Sequence, residues 1–328
     1  MTVATGVGSM PGDDDVGYVD AVRTVLGELP DLPHLPELPG RGAGATMTGR
    51  ALAIVSELGA DLQPAGWRLT DAPGVDQRRA RSLLAQDLDR LEEQAQGYQG
   101  TFKVQVAGPW TLAATVEKPR GDKLLSDVGA GRELAQALAE GLGNHVADLR
   151  RRLREVDRLV VQVDEPALAA VLAGSVPTAS GFHRHRSVDQ PAASPALETV
   201  FAAVRSAGAV PLAHCCAAEV PVGLLTGAGA AGVSVDLTLL ALGAYDAVAD
   251  LLEAGAPVHV GVVPTLRPDG PAPRGQAERV LRFLDMLGLD PDGVGSSLVV
   301  TPTCGLAGAD AGWAREALAL ARRTAADL

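Results

Sequence analysis

The sequence has 328 residues, enough for one large domain or two ordinary ones, and 47% of them are hydrophobic, which indicates a globular chain with a sizeable core. Only 3% are aromatic, so the core must consist mainly of Ala, Val and Leu. The net charge of −12 argues against a nucleic-acid partner or an anionic membrane surface, because either would require clustered Lys and Arg.

Export and membrane insertion are not indicated by the sequence. No apolar run reaches the roughly 18 residues of a membrane-spanning helix, and the N-terminus lacks the charged and apolar regions of a signal peptide. We therefore expect a cytoplasmic protein in a reducing compartment, where three cysteines do not indicate a disulfide framework.

Short β-rich runs alternate with longer helical patterns along the whole chain. The predicted strands are residues 3–8, 67–70, 102–107, 158–163, 210–214, 232–236, 258–263 and 297–301. The predicted helices are residues 16–29, 46–58, 77–95, 130–155, 195–207, 220–226, 247–254, 275–287 and 313–325. This alternation is typical of an α/β protein that forms a single (β/α)8 TIM barrel over residues 1–328, with a doubly wound open sheet as the alternative.

Two insertions interrupt the alternation. Residues 32–44 are rich in proline and predict a rigid extended loop, and residues 172–193 carry the run His183-Arg184-His185-Arg186. Both insertions would follow the carboxyl ends of strands, on the face of a barrel where lids and substrate loops lie.

All three cysteines fall at the ends of two predicted strands. His214 and Cys216 end one strand and Cys304 follows the last, so in a parallel barrel all three would lie on the same face. Because His214 and Cys216 are two residues apart, their side chains point to the same side of an extended segment, while Cys215 points away and is expected to pack in the core. Two thiolates and an imidazole are ligands that Zn²⁺ prefers, and three protein ligands are typical of a catalytic zinc.

Polar residues end other predicted strands of the same face. Ser9 lies in a small-residue turn after the first strand, and the adjacent carboxylates Asp164 and Glu165 follow the fourth. Two carboxylates at the end of a buried strand are costly unless they bind a cation, an ammonium group or a helix N-terminus. The alternative interpretation is that Asp164 and Glu165 cap the following helix.

Four separated motifs together resemble a known family. Gly8-Ser9-Met10-Pro11, Gln162-Val163-Asp164-Glu165-Pro166-Ala167-Leu168, His214-Cys215-Cys216 and Cys304-Gly305-Leu306 are similar, in the same order, to the catalytic domain of cobalamin-independent methionine synthase. The resemblance covers nearly the whole chain. Full-length members have two barrels, so this sequence resembles a short form without the N-terminal barrel.

The resemblance implies a zinc ion that binds the thiol of homocysteine, or of a similar amino acid, and presents it to a methyl donor. By position, His214, Cys216 and Cys304 match the family's metal ligands. The family's remaining ligand is a glutamate at the end of the next strand, where this chain has Asp236. The shorter Asp236 would ligate zinc directly, or act through water or a hydrogen bond.

The resemblance also assigns the substrate-binding residues. Asp164 matches the aspartate that holds the substrate amino group, and Glu165 stands beside it. Ser9 matches a serine near the substrate carboxylate, and Asp71 stands where the family has another acidic contact to the amino group.

The chain departs from the family pattern in the region that handles the methyl donor. After the seventh strand it has Pro264 and Leu266 where the family has an acidic residue and a histidine, and neither can move protons. Methyl-folate needs an acid to leave, whereas a methylated corrinoid does not, so these losses favour a corrinoid or its carrier protein as donor. His183 and His185 would replace the missing acid if the donor is 5-methyltetrahydrofolate.

Two other classes of function remain open. One is a metal-independent barrel enzyme of the uroporphyrinogen decarboxylase type, for which the histidine and cysteines would be incidental. The other is a non-catalytic protein that binds zinc or a thiol.

Overall fold

The central feature of the computed structural model, which describes residues 1–270 and 274–328, is a curled, parallel seven-stranded sheet. Its strand order is β1-β9-β8-β7-β6-β5-β4, and a separate two-stranded sheet pairs β2 with β3. The strands are β1 (Val3–Ala4), β2 (Gly59–Gln63), β3 (Gly66–Thr70), β4 (Gly100–Ala107), β5 (Val156–Asp164), β6 (Val210–Cys215), β7 (Gly232–Asp236), β8 (Val258–Val263) and β9 (Leu298–Pro302).

Helices connect the strands and cover the outside of the sheet. The helices that the periodicity predicted are present with bounds shifted by a few residues. Three short helices were not predicted: Pro109–Thr115, Leu168–Leu172 and Pro291–Val294. The helices are α1 (Asp15–Glu28), α2 (Met47–Ile54), α3 (Val75–Gln94), α4 (Pro109–Thr115), α5 (Val128–Arg152), α6 (Leu168–Leu172), α7 (Gln190–Ser206), α8 (Val222–Gly227), α9 (Tyr245–Glu253), α10 (Gln276–Leu287), α11 (Pro291–Val294) and α12 (Ala311–Ala326).

The second predicted strand does not belong to the main sheet. Residues 67–70 fall in β3, which pairs antiparallel with β2 as a hairpin. Trp67 and Leu69 are buried, while Arg68 and Thr70 between and after them are only partly buried. This alternation is typical of an antiparallel strand with one solvated face, whereas a parallel barrel strand is buried on both faces. The expectation of an eight-stranded parallel sheet was therefore wrong at this strand.

The sheet is open between β1 and β4, and the proline-rich segment at residues 33–37 lies in the opening. Leu35 N donates to Lys103 O of β4 at 2.9 Å, and Glu37 N donates to Gly8 O, after β1, at 3.1 Å. Prolines have no N–H and cannot donate to a ladder, which explains isolated bridges here in place of a continuous strand. The segment that was predicted to be a rigid extended loop is thus hydrogen-bonded on both sides.

The concave face of the sheet is polar. The register places Gln105 beside Gln162, Asp164 beside His214, and Ser234 beside both His214 and His259 on the adjoining strands. Since side chains alternate between faces along a strand, this row shares one face, and the apolar residues between its members pack against the helices. The parallel strands therefore deliver polar side chains to a common interior.

Candidate metal centre

The structure brings His214, Cys216 and Cys304 together at the carboxyl ends of β6 and β9. Their candidate ligand atoms all lie within 4.8 Å of one another. The two Sγ atoms are 3.4 Å apart, which is a contact between free thiols rather than a disulfide. Cys215, between the first two, is buried in the core, as the alternation of β6 predicts.

One ring nitrogen of His214 contacts a carboxylate, and the other has no hydrogen-bond partner among the described residues. Its Nδ1 lies 2.9 Å from Asp164 Oδ1, and both side chains are almost fully buried. Its Nε2 is buried with no hydrogen-bond partner among the described residues. A buried, unpaired ring nitrogen is unfavourable unless it has a ligand, and a metal ion would satisfy it.

The two thiols of the cluster are linked in their ionisation. The hydrogen bond between them, more than any other contact, lowers the pKa of Cys304 to about 6 and raises the pKa of Cys216. One proton therefore leaves the pair easily, and the second is held more tightly because two thiolates in contact repel each other. A cation between the sulfur atoms would remove that repulsion.

Asp236, the predicted replacement for the family glutamate, ends β7 but is not part of this cluster. Its Oδ1 accepts hydrogen bonds from Thr238 N at 2.8 Å and from Thr238 Oγ1 at 2.6 Å. Asp236 therefore shapes the turn after its strand, with one carboxylate oxygen committed to that turn.

Asp164 and Glu165 have different surroundings although they are adjacent. Asp164 Oδ1 accepts from Gln162 Nε2 at 2.7 Å and lies 2.9 Å from His214 Nδ1. Glu165 accepts from Trp110 N, Thr111 N and Thr111 Oγ1 at 2.7–2.9 Å, and burial raises its pKa to about 7. Glu165 thus caps α4, not the helix that follows it, and both of its oxygens are occupied.

Ser9 lies against the loop that carries Cys304. Its carbonyl oxygen accepts from Leu306 N at 2.8 Å, and its hydroxyl packs so closely on Gly305 that a Cβ there would collide with it. The turn after β1 is therefore in contact with the two residues that follow Cys304. Asp71, by contrast, is exposed at the end of the β2–β3 hairpin, outside the main sheet.

The sequence interpretation missed a buried carboxylate, Glu37. It forms a salt bridge with the buried Arg50 at 3.3 Å, and its backbone pairs with that of Ser9. Burial, opposed by Arg50 and reinforced by the negative charge of Asp164, raises the pKa of Glu37 to about 7. Leucines two positions before it and directly after it were the available signal that this position is buried.

Among the described residues, neither histidine of the insertion after β5 has a recorded contact with His214, Cys216 or Cys304. His183 is exposed. His185 is buried, with its Nε2 3.2 Å from Asp122 Oδ1. After β8, Pro264 uses its carbonyl oxygen to accept from Trp313 Nε1 at 3.2 Å.

Comparison with known proteins identifies the family. Residues 115–327 match the family model described as the catalytic domain of the cobalamin-independent synthase. The chain belongs to this family. It is therefore a methyltransferase of the cobalamin-independent methionine synthase type, and the resemblance seen in the sequence is confirmed.

Solved structures support the fold of this cobalamin-independent synthase. A B12-independent methionine synthase from Shewanella sp. W3-18-1, solved in complex with selenomethionine, is similar at a TM-score of 0.64 and 13% identity, covering 100% of this chain and 97% of that one. A 2,3-dimethylmalate lyase of the PEP mutase/isocitrate lyase superfamily reaches a TM-score of only 0.39 at 11% identity, covering 93% and 77%. The catalytic domain of a β-amylase from Paenibacillus polymyxa reaches 0.43 at 8% identity, covering 92% of each chain. The last two scores are too low to support an argument.

No curated protein matches the sequence of the chain. Within the described residues, every helix is too short or too polar to cross a lipid bilayer.

Proposed function

We propose that this chain is a zinc-dependent methyltransferase that methylates the thiol of homocysteine to form methionine. The observation that carries the proposal is the convergence of His214, Cys216 and Cys304 within 4.8 Å at the open end of the curled sheet. A metal-independent decarboxylase gives no reason for these three side chains to meet, whereas a non-catalytic zinc-binding protein does and is separated from an enzyme by turnover.

The residues present fit zinc by their chemistry. One imidazole nitrogen that has no partner among the described residues and two sulfur atoms are a donor set typical of Zn²⁺. Three protein ligands leave a position for the substrate sulfur, as in catalytic rather than structural zinc sites. Asp236 lies outside the cluster and has one carboxylate oxygen committed to Thr238, so we assign it a contribution through water.

When bound, zinc would lower the pKa of the substrate thiol, which is about 8.5 when free, and so supply the reactive thiolate at neutral pH. The protein would then have to orient the amino-acid end of the substrate. Asp164 uses Oδ1 to hold His214, and no hydrogen bond among the described residues engages its Oδ2. We infer that Asp164 Oδ2 accepts from the substrate ammonium group and aligns the thiol for attack.

Ser9 and Glu37 complete the proposed substrate site. Ser9 contacts the Cys304 loop, and we assign its hydroxyl to the substrate carboxylate. We assign the second carboxylate for the ammonium group to Glu37 rather than to Asp71. Glu37 is buried and feels the charge of Asp164, whereas Asp71 is exposed on the hairpin.

We infer a methylated corrinoid, free or on a carrier protein, as the donor, with 5-methyltetrahydrofolate as the alternative. In the transfer the thiolate sulfur forms the S–CH₃ bond while the Co–CH₃ bond breaks and its electron pair stays on cobalt, so no acid is required. Methyl-folate would need a proton on its leaving nitrogen. Pro264 and Leu266 cannot supply it, His185 is paired with Asp122, and burial lowers the pKa of His259 to about 3.

We also propose that residues 1–328 form one catalytic domain, with the proline-rich segment completing the barrel between β1 and β4. In support, a hydrophobic cluster runs from Ala4 in β1 to Ala325 in α12 and includes residues of every main-sheet strand.

We assign Glu165 an indirect role in the site, because its carboxylate fixes the N-terminus of α4.

Metal analysis combined with turnover tests the proposal. We expect about one zinc per chain, lost in Cys304→Ser and retained in Cys215→Ala, whose side chain packs in the core. The zinc-loaded protein is then incubated with homocysteine and, separately, methylcobalamin, methyl-folate monoglutamate and methyl-folate polyglutamate, and methionine is measured.

Each outcome selects one interpretation. Methionine from methylcobalamin alone supports the corrinoid donor, and methionine from the polyglutamate alone overturns it. A folded protein without zinc returns the metal-independent decarboxylase class to consideration. Zinc and homocysteine binding without methionine from any donor indicates a binding protein.

A further inference from the structure

A continuous row of buried polar groups runs from Lys103 on β4 to the metal-ligand cluster. Lys103 Nζ donates to Gln162 Oε1 at 2.7 Å and to Val7 O at 2.8 Å. Gln162 Nε2 donates to Asp164 Oδ1 at 2.7 Å, and Asp164 Oδ1 lies 2.9 Å from His214 Nδ1. The row ends at His214 Nε2, a buried nitrogen with no partner in residues 1–270 and 274–328.

The direction of each hydrogen bond in this row follows from the groups that can only accept. Val7 O only accepts, so the Gln162 atom 2.9 Å from it is the amide NH₂, which also faces Asp164 Oδ1. The amide oxygen of Gln162 then faces Lys103 Nζ, which can donate to it with or without its extra proton. An ionised aspartate only accepts, so the proton between Asp164 and His214 belongs on Nδ1. A neutral imidazole with its proton on Nδ1 has its lone pair on Nε2, the buried atom that has no hydrogen-bond partner among the described residues.

Lys103 is an expensive residue to bury. It is fully buried, its Nζ contacts the neutral oxygens of Gln162 and Val7, and no carboxylate touches it among the described residues. Burial lowers its pKa to about 7, against the opposing influence of Asp164 and Glu37. An apolar side chain at this position would avoid the desolvation cost. We account for this desolvation cost by a role for Lys103: its N–H groups fix the orientation of the Gln162 amide.

We propose that Lys103 and Gln162 are positioning residues for the metal: through Asp164 they fix the orientation and the tautomer of His214, so that its Nε2 lone pair faces the ion. The inference rests on the proposed zinc site. Neither residue touches zinc or substrate, and both act by keeping Asp164 Oδ1 directed at Nδ1–H. Metal-bound imidazoles whose other nitrogen donates to a carboxylate gain basicity and a fixed ring orientation in this way.

Zinc affinity of the full chain is the first test, measured by competition with a chromophoric chelator. Gln162→Met keeps a similar volume but cannot donate to Asp164, and we expect its zinc affinity to fall on the order of tenfold. Lys103→Met removes the donor that orients Gln162, and its affinity should fall in the same direction. The matched control is Gln77→Met, which loses three hydrogen bonds to the backbone of Leu52, Leu58 and Ala60, none of which belongs to the row, and should bind zinc like the wild type.

The His214 tautomer is the second test, and it needs neither zinc nor activity. The sequence has six histidines, few enough to assign the ring nitrogens by ¹⁵N–¹H correlation spectra of the metal-free protein. We expect His214 to carry its proton on Nδ1 in the wild type and in Gln77→Met, and a mixture of tautomers in Gln162→Met and Lys103→Met, because Gln162 no longer holds Asp164 Oδ1 against Nδ1 in these two variants. A general loss of folding stability would not change the His214 tautomer in Gln162→Met and Lys103→Met while leaving it unchanged in Gln77→Met.

The outcomes separate this inference from the proposed function. Wild-type zinc affinity and an unchanged Nδ1–H tautomer in folded Gln162→Met would overturn the positioning role while leaving the zinc site intact. If either methionine variant fails to fold, the other decides by the same two readouts. If the wild type binds no zinc, the proposed function fails, and with it the inference.

Discussion

Replacing Asp164 with asparagine removes the charge that links the zinc ligand to the substrate. Asp164 Oδ1 accepts from both Gln162 and His214, and we propose that its Oδ2 accepts from the substrate ammonium. An asparagine side chain has nearly the same shape as an aspartate, so the packing of this buried position should survive. We expect weaker zinc binding and, at saturating zinc, a higher KM for homocysteine.

The magnitude follows from the two short hydrogen bonds. A hydrogen bond to a charged group contributes about 1.5–3 kcal/mol and a neutral one about 0.5–1.5 kcal/mol, so each bond loses roughly 1 kcal/mol when the carboxylate becomes an amide. The two bonds, at 2.7 and 2.9 Å, together lose roughly 2 kcal/mol. Only the bond to His214 acts on a candidate zinc ligand, and losing the carboxylate partner of a metal-bound imidazole typically weakens metal affinity by roughly 10–100-fold. Losing the charge opposite the substrate ammonium should raise the KM by about tenfold.

Two assays separate these effects. Chelator competition gives the zinc affinity without substrate, and steady-state kinetics with zinc in excess gives kcat and KM for homocysteine. An Asp164→Asn protein that binds zinc with wild-type affinity would refute the role of Asp164 in holding His214. A normal KM at saturating zinc would refute its contact with the ammonium group.

Three further predictions concern the surrounding residues. Glu165 has a pKa raised from 4.5 to about 7, so between these pH values the folded protein retains a proton that the unfolded chain has lost. The free energy of unfolding should therefore fall as pH rises from 4.5 to 7, and Glu165→Gln should reduce that slope in denaturant titrations. Gly305→Ala would push a Cβ into the Ser9 hydroxyl and displace the Cys304 loop, so zinc affinity should fall, whereas Gly308→Ala in the same loop meets only ordinary contact and should bind normally; equal affinities would contradict the packing argument. The double variant His183→Ala/His185→Ala should keep its rate with methylcobalamin, and a loss of turnover would show that an imidazole of the insertion takes part.

The sequence predicted the metal-ligand cluster because parallel strands impose a simple rule. Residues at the carboxyl ends of such strands meet on one face, and the two-residue spacing of His214 and Cys216 keeps both on one side of β6. The same rule did not predict that Asp236 would turn an oxygen to Thr238, because a hydrogen bond two residues away depends on the local turn.

The rest of the site depended on tertiary contacts that a pattern does not contain. The proline-rich segment looks like a loop from its composition, yet it lies between β4 and the turn after β1 and buries Glu37. The hairpin strand β3 looks like a barrel strand from its aromatic and apolar residues, yet it pairs antiparallel outside the sheet. The acidic contact was therefore assigned to Asp71, while the buried carboxylate near Ser9 is Glu37.

X-ray absorption at the zinc edge tests the central claim most directly, because it counts the sulfur atoms around the metal. In the zinc-loaded protein we predict two sulfur neighbours at about 2.3 Å, from Cys216 and Cys304. Addition of homocysteine should raise the count to three, since the substrate thiol takes the open position. A zinc shell without sulfur, or a sulfur count that homocysteine leaves unchanged, would contradict the account.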